Sequence, residues 1–238
     1  MRRGRTGAIV VGAGGGKRLG GVEKAFMEIA GHPLIAYSVE LFCAHPEVDD
    51  VCLVVSGESV ERARSMGRER EWRKVTAIVP GGTERQDSVR AGLDALKSCE
   101  WVLIHDAARP LLTNEMVSRG LAAAAATGAA VAATPVRDTL KRVPVAETAE
   151  AWPVVQETVD RSGLWAAQTP QVFRVSLLRE AFARVGAEAS ALTDDGAVAQ
   201  AAGFPVHLYA GDAQNIKVTL PEDVALVEAL LARRASTS

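Results

Sequence analysis

The chain has 238 residues, 48% of them hydrophobic, and a formal net charge of −2. This length is enough to bury a full core in one domain, and the charge excludes an overall basic field that would hold a nucleic-acid polymer. The Ala-rich run from Leu121 is interrupted at Thr127 and Gly128, short of the ~18 apolar residues of a membrane span, so no membrane partner is expected.

The first predicted element is a buried strand that runs into a glycine-rich stretch. Residues 8–11 form a continuous apolar run, typical of a strand that is covered on both faces. Gly12, Gly14 and Gly16 carry no Cβ, so the backbone N–H groups there can converge on phosphate oxygens. The stretch therefore predicts a phosphate site, and Lys24 adds positive charge to it.

Two common nucleotide-binding templates do not fit this stretch. A P-loop needs Ser or Thr after its Gly-Lys pair, but Gly16 and Lys17 are followed by Arg18. A Rossmann fingerprint needs a third glycine where Lys17 or Leu19 stands. What remains is G-x-G-x-R followed six residues later by Lys, a pattern that resembles the loop of sugar-phosphate nucleotidyltransferases. The alternative is a glycine-rich turn with solvated basic residues.

Apolar strands then alternate with amphipathic helices. The further predicted strands are residues 51–55, 75–79, 101–104 and 129–136. One predicted helix starts at Pro33, and a second covers residues 59–71. A third follows the cap Asp87, and a fourth runs from Thr113 to Gly128. Strands separated by helices imply parallel pairing with right-handed crossovers. The predicted fold is a single doubly wound α/β domain over residues 1–238 with a mostly parallel sheet.

This alternation breaks after Val136. Residues 137–161 contain two candidate strands, 139–143 and 154–159, which predict a β-hairpin arm; a surface loop is the alternative. An isolated hairpin is only marginally stable in water, so we expect the arm to pair with its copy in a two-fold homodimer.

The last third of the chain predicts three helices and one strand. The helices are residues 176–185, 193–202 and 221–233, and the strand is 206–209. Thr219 and Glu222 have the spacing of a capping box, which assigns them to structure. The three cysteines fit neither a disulfide framework nor a metal spacing, and the apolar run after the basic start is too short for a signal peptide. We therefore expect a soluble, cytoplasmic protein.

Several further stretches, taken with the glycine loop, closely resemble the 2-C-methyl-D-erythritol 4-phosphate cytidylyltransferase family. They read GGTERQDSVRAGL from Gly81, VLIHDAARP from Val102, PVRDTLKRV from Pro135, TVDRSGLWAAQTPQVF from Thr158, TDDGAV from Thr193 and NIKVTLPEDV from Asn215. The resemblance covers residues 8 to about 231. The chain departs from the family pattern around Gly12 and at Glu23, where the family usually has Pro-Ala-Ala-Gly and Pro-Lys-Gln-Phe segments.

The resemblance implies transfer of CMP from CTP to methylerythritol phosphate, with release of pyrophosphate and with Mg²⁺ or another divalent cation as cofactor. It implies catalytic roles for Arg18, Lys24 and Lys217. The implied nucleotide-binding residues are Gly12, Ala13, Gly14, Gly16, Gly81, Gly82, Thr83, Ser88 and Asp106. The implied acceptor-binding residues are Asp106, Arg109, Thr139, Arg161 and Thr193, with Asp106 also the metal ligand. In this family the arm reaches into the neighbouring subunit, so Thr139 and Arg161 would act in trans.

Purely structural roles stay open for several of these residues. Asp106 and Arg109 could form a structural ion pair, and Thr193 could cap its helix. We expect His105 to be a packed strand-end residue, because this chemistry needs no acid or base. The alternative functions are a cytidylyltransferase for another polyol phosphate such as ribitol 5-phosphate, and a non-catalytic nucleotide-binding protein.

Overall fold

The computed structural model describes residues 4–14, 24–145 and 152–236. Within them the strands are β1 (Thr6–Val11), β2 (Glu28–Ile29), β3 (His32–Pro33), β4 (Asp50–Val55), β5 (Val75–Pro80), β6 (Trp101–Asp106), β7 (Ala129–Pro135), β8 (Leu140–Arg142), β9 (Glu157–Val159), β10 (Trp165–Arg174) and β11 (His207–Ala210). The helices are α1 (Leu34–Ala44), α2 (Val60–Glu69), α3 (Arg85–Ala95), α4 (Asn114–Thr127), α5 (Val175–Val185), α6 (Asp195–Ala201) and α7 (Pro221–Ala235). Each strand and helix predicted from the sequence is present, with ends that differ by a few residues.

A seven-stranded sheet in the order β11-β7-β10-β6-β1-β4-β5 forms the centre of the molecule. The sheet is parallel except for β10, which runs antiparallel between β6 and β7. This confirms a mostly parallel sheet, but the sequence patterns did not predict β10. Pro170 interrupts that segment, and the register of β10 shifts between Ala167 and Gln171, so no uninterrupted strand pattern is visible there.

Helices cover both faces of the sheet, as predicted for a doubly wound fold. Ala8 and Val10 of β1 point into a core shared with α1 and α4, whereas Ile9 points into a core shared with α3 and α5. Burial on both faces explains why β1 reads as a continuous apolar run. The carboxyl ends of the parallel strands meet at one edge of the sheet, where Gly12 and Asp106 lie.

The helix ends confirm both predicted ends of α4 and correct three other predicted caps. Thr113 Oγ1 accepts the N–H of Met116, and α4 ends at Gly128 with φ +88°. The predicted capping box at α7 is shifted by one residue, because the cap is Leu220 and not Thr219, and Asp223 and not Glu222 accepts the N–H groups of Thr219 and Leu220.

The other two corrections concern α6 and α3. Asp194, not Thr193, caps α6 by accepting the N–H of Ala197 at 2.7 Å. Asp87 does accept the N–H of Glu84 at 3.1 Å, but it lies inside α3, whose cap is Glu84, three residues earlier than predicted.

The predicted arm is a two-stranded antiparallel hairpin. β8 pairs with β9, and Lys141 Nζ donates to Thr158 Oγ1 at 2.6 Å across the pair. Both strands are shorter than predicted, and residues 146–151 of the arm lie outside the described ranges. The hairpin forms its own small sheet, separate from the central one.

Candidate active site

A pocket of about 460 Å³ opens at the carboxyl ends of β1 and β6. Most of the residues that the sequence assigned to the nucleotide and to catalysis line it: Gly12, Ala13, Gly14, Lys24, Gly82, Thr83, Ser88, Asp106 and Lys217. Pockets of this size are typical of small-molecule sites. Arg18 and Gly16 lie outside the described residues.

The glycine segments approach each other too closely for a side chain. A Cβ on Gly81 would lie 2.4 Å from Cβ of Ala13 and 2.6 Å from Oγ of Ser88. Gly12 N–H donates to the carbonyl of Val54 at 2.7 Å, which ties the end of β1 to β4. Gly81 does not line the pocket itself, but its missing side chain lets the turns after β1 and β5 close around it.

A second pocket of about 230 Å³ adjoins the first. It contains Arg109 and Thr193, which the sequence assigned to the acceptor, together with Gln168, Thr169 and Asp194. Three charged side chains line both pockets: Arg85, Asp106 and Lys217. The two pockets therefore meet at a cluster of opposite charges.

Asp106 is the centre of this cluster. Its Oδ2 lies 2.7 Å from Nζ of Lys217, and its Oδ1 lies 3.5 Å from Nε of Arg85. Burial by itself raises the pKa of the Asp106 carboxyl, but Arg85, Lys217 and Arg109 outweigh that effect and hold the pKa well below its usual range. Asp106 is therefore an anion at neutral pH, although it is largely buried.

Arg109 does not form the ion pair with Asp106 that the sequence left open. Among the described residues, the ion-pair partners of Asp106 are Arg85 and Lys217. The guanidinium of Arg109 instead donates to the carbonyl of Asn215 at 2.7 Å. Arg109 thus faces the second pocket while holding the loop that carries Lys217.

That loop, residues 211–220, is attached to the irregular part of β10. The Asn215 side chain donates to the carbonyl of Thr169 at 2.8 Å, and the Gln168 side chain donates to the carbonyl of Asp212 at 2.9 Å. Val218 N–H donates to the carbonyl of Ala108 at 2.8 Å. These bonds hold Lys217 over Asp106, although the two residues are far apart in sequence.

His105 is fully buried beside this cluster, as predicted. Its Nε2 lies 3.1 Å from the carbonyl of Arg109, which only accepts, so Nε2 carries the proton. Its Nδ1 therefore accepts from the hydroxyl of Thr169 at 3.0 Å. Burial lowers the pKa of His105 to about 4, which makes it a neutral structural residue at physiological pH.

Among the predicted site residues that the structure describes, Thr139 and Arg161 lie in neither pocket. Both belong to the arm.

The sequence of the chain matches a known protein family over most of its length. The sequence profile of 2-C-methyl-D-erythritol 4-phosphate cytidylyltransferase matches residues 6–233. The chain belongs to this family.

Relatives of the chain bear the same description. The 2-C-methyl-D-erythritol 4-phosphate cytidylyltransferase of Dehalococcoides mccartyi (strain CBDB1) is 42% identical over 227 residues, 95% of this chain and 96% of the relative. That of Geobacillus thermodenitrificans (strain NG80-2) is 41% identical over 228 residues, 95% of this chain and 97% of the relative. The crystal structure of the Thermus thermophilus enzyme superposes with a TM-score of 0.77 at 32% identity, covering 94% of this chain and 98% of that one.

Membership in the 2-C-methyl-D-erythritol 4-phosphate cytidylyltransferase family confirms the function predicted from the motifs. The chain is an enzyme of the nucleotidyltransferase class, a cytidylyltransferase that uses CTP in isoprenoid synthesis. Among the described residues, no helix has the length and apolar character that crossing a bilayer requires.

Sequence reasoning missed Arg85 and Asp195 in this cytidylyltransferase. Arg85 belongs to the family-like stretch after β5, and a cation shortly after a glycine pair was a usable signal for it. Asp195 lies in TDDGAV, but nothing in the sequence shows that it meets Arg85, because the two are 110 positions apart along the chain (195 minus 85). Thr169 was missed with β10.

Proposed function

We propose that this chain binds CTP in the larger pocket and 2-C-methyl-D-erythritol 4-phosphate in the smaller one, and joins them where the pockets meet. The observation that carries this assignment is that both pockets share Arg85, Asp106 and Lys217. Two anionic substrates repel each other, so their reacting phosphates belong at the place where cations line both cavities.

The reaction needs little covalent work from the protein. An oxygen of the acceptor phosphate forms a bond to the α-phosphorus of CTP, while the bond from that phosphorus to the oxygen bridging to the β-phosphate breaks. The electron pair leaves with pyrophosphate. The attacking oxygen is already anionic, so no general base is required, which agrees with a neutral, buried His105.

The cations of the site would stabilise the transition state. We assign Lys24 and Lys217, which line the larger pocket, to the phosphoryl oxygens of CTP, and Lys217 also to the incoming phosphate. We assign Arg18 to the same task on the basis of the family pattern alone. Preorganised charges of this kind act without reorganising during the reaction, which is why they contribute strongly to catalysis.

Substrate selection would fall to the remaining lining residues. We assign Gly82, Thr83 and Ser88 to cytosine, because they form one wall of the larger pocket at the start of α3. We assign Arg109 and Thr193 to the acceptor, because they line the smaller pocket.

The residues present fit Mg²⁺ only if the nucleotide supplies ligands to the ion together with the protein. Among residues 4–14, 24–145 and 152–236, no three His, Cys, Asp or Glu side chains cluster into a metal site. Asp106 supplies one ionised carboxylate, and Mg²⁺ commonly takes one or two carboxylates together with substrate phosphates and water. When bound there with the triphosphate, the ion would neutralise charge on the phosphoryl oxygens.

We further propose that residues 137–161 are an arm of a single domain and pair with a second copy in a homodimer. Trp152 is 91% exposed, and Leu140 and Trp165 are also exposed, so the arm and its base present apolar surface to solvent. A second copy of the arm would cover that surface, and would carry Thr139 and Arg161 into the acceptor pocket of the neighbouring subunit.

Mixed dimers test this arrangement. Lys24→Ala and Arg161→Ala homodimers should both be nearly inactive. After random exchange of equal amounts of the two chains, about a quarter of all sites should be fully wild type, which follows from two-fold symmetry. Activity that stays at the level of the parent variants, although exchange is shown by mass-labelled chains, would mean that the trans assignment is wrong and that the arm only holds the dimer together.

A pyrophosphate-release assay with CTP and a panel of polyol phosphates tests the substrate assignment. The expected result is fastest turnover with methylerythritol phosphate, and much slower turnover when ATP, GTP or UTP replaces CTP. Faster turnover with ribitol 5-phosphate would replace the acceptor assignment, and CTP binding without turnover of any acceptor would favour a non-catalytic protein.

We also place the enzyme in the cytoplasm, since its three cysteines are all free thiols.

A further inference from the structure

Asp195 is a fully buried acid in the site region that has no role in the reaction described above. It is the first residue of α6, and its side chain has no exposed surface. Among the described residues its ion-pair partner is Arg85, the first residue of α3, whose Nη1 lies 2.8 Å from Oδ2 of Asp195. A buried ion pair is a weak contributor to stability compared with apolar packing, so its presence calls for another explanation.

Arg85 stands between two carboxylates. Its Nη1 is 2.8 Å from Asp195, whereas its Nε is 3.5 Å from Asp106. The shorter contact and the full burial of Asp195 make it the stronger electrostatic constraint on the guanidinium, although Nη1 and Oδ2 are not in hydrogen-bond geometry. In this position Arg85 lines both pockets and leaves Oδ2 of Asp106 to Lys217.

The first turn of α6 is itself held in place from the sheet. Gln171 of β10 donates to Oδ2 of Asp194 at 2.9 Å and accepts the N–H of Gly196 at 3.0 Å. The neighbour of Arg85, Gln86, donates to the carbonyl of Leu192. The start of α3, on the nucleotide side, is thus joined to the start of α6, on the acceptor side, by two side chains.

We propose that Asp195 is a positioning residue that acts through Arg85. It anchors the guanidinium at the junction of the two pockets and keeps it from closing onto Asp106 in competition with Lys217. This inference rests on the proposed division of the pockets between CTP and the acceptor. Loss of the anchor would misplace the charges around the reacting phosphates, and small misplacements of this kind cost up to about 10²-fold in rate.

The test is a double-variant cycle of Asp195→Asn and Arg85→Gln, measured as kcat and KM for both substrates. Asp195→Asn should lower kcat by roughly 10- to 100-fold, while the Kd for CTP from calorimetry changes less than about threefold, since the other nucleotide contacts remain. Because Asp195 acts through Arg85, adding Asp195→Asn to Arg85→Gln should cause no further loss.

Asp50→Asn is the matched control. Asp50 is also a buried acid paired with an arginine, Arg5, at 2.6 Å, but it lies at the amino end of β4, away from the site. The Asp50→Asn variant should have a lower Tm than wild type but unchanged kinetic constants. All assays are run well below the Tm of each variant, so that unfolding does not enter the rates.

Two results would overturn the inference. One is wild-type kcat in folded Asp195→Asn, and the other is a double variant whose loss is the product of the two single losses. Wild-type turnover is measured first, because its absence with methylerythritol phosphate would refute the proposed acceptor separately. The cycle is then run with whichever polyol phosphate the panel shows to be a substrate.

Discussion

Titration of the buried His105 should make the fold sensitive to mild acid. The pKa of His105 is about 4 in the folded protein, against 6.5 for an unperturbed histidine, because burial disfavours the charged ring. The unfolded chain therefore binds this proton at a higher pH than the folded chain does. The contribution is fully present above pH 6.5 and is lost as the pH falls from 6.5 to about 4.

The size of the effect follows from the two pKa values. Each pKa unit corresponds to ~1.4 kcal/mol, so the free energy of unfolding should fall by up to ~3 kcal/mol across this window from His105 alone. In His105→Gln this component is absent, although the variant is less stable at neutral pH because two buried hydrogen bonds are altered.

The assay is urea denaturation at a series of pH values between about 4 and 7.5, at one fixed protein concentration. The readout is the slope of the free energy of unfolding against pH, compared between wild type and His105→Gln. Contributions from other titrating groups such as His45 cancel in this difference. His207→Gln, a change at an exposed histidine, serves as the control and should run parallel to wild type. Parallel curves for wild type and His105→Gln would show that His105 does not take up a proton on unfolding in this pH range.

Three further predictions concern the site. Lys24→Ala and Lys217→Ala should each lower kcat by roughly 10²-fold or more, as measured by pyrophosphate release, because each removes a preorganised charge at the phosphates; near-wild-type kcat would remove that residue from the mechanism. Gly81→Ala should raise KM for CTP by about tenfold, since its Cβ would lie 2.4 Å from Cβ of Ala13 and push the pocket walls apart, whereas Gly57→Ala, where no described atom lies within 4 Å of the added Cβ, should not change KM. Chelation of divalent cations should abolish turnover and added Mg²⁺ should restore it; full activity in excess chelator would contradict the role given to Asp106.

Much of the fold could be read from local sequence patterns. β1 is apolar without interruption because both its faces are covered, and α4 has a Thr cap and a terminal Gly that specify its ends. These signals lie within a few residues of the structure that they specify. β10 has no such signal, because Pro170 interrupts it and its residues on either side pair in different registers.

The residues of the site also fall into those that local motifs predict and those that they do not. Lys24, Lys217 and Asp106 could be named from family motifs, and the structure brings them to one pocket. The sequence could not show that Arg85 joins them, or that Asp195 holds it. The proposed action of Thr139 and Arg161 in a second subunit stays a prediction.

The alternation of strands and helices, the glycine turns, the family and hence the reaction follow from the sequence, because each of these depends on residues close together in the chain or on whole motifs. Which charges share a cavity depends on the tertiary fold. Arg85, Asp106, Asp195 and Lys217 come from four different elements or loops, and they meet because the strand order β7-β10-β6-β1 places the carboxyl ends of β6 and β1 beside the irregular segment of β10. Charge pairing in a buried site depends on distances of a few ångströms, and the spacing of residues along the chain carries no information about those distances.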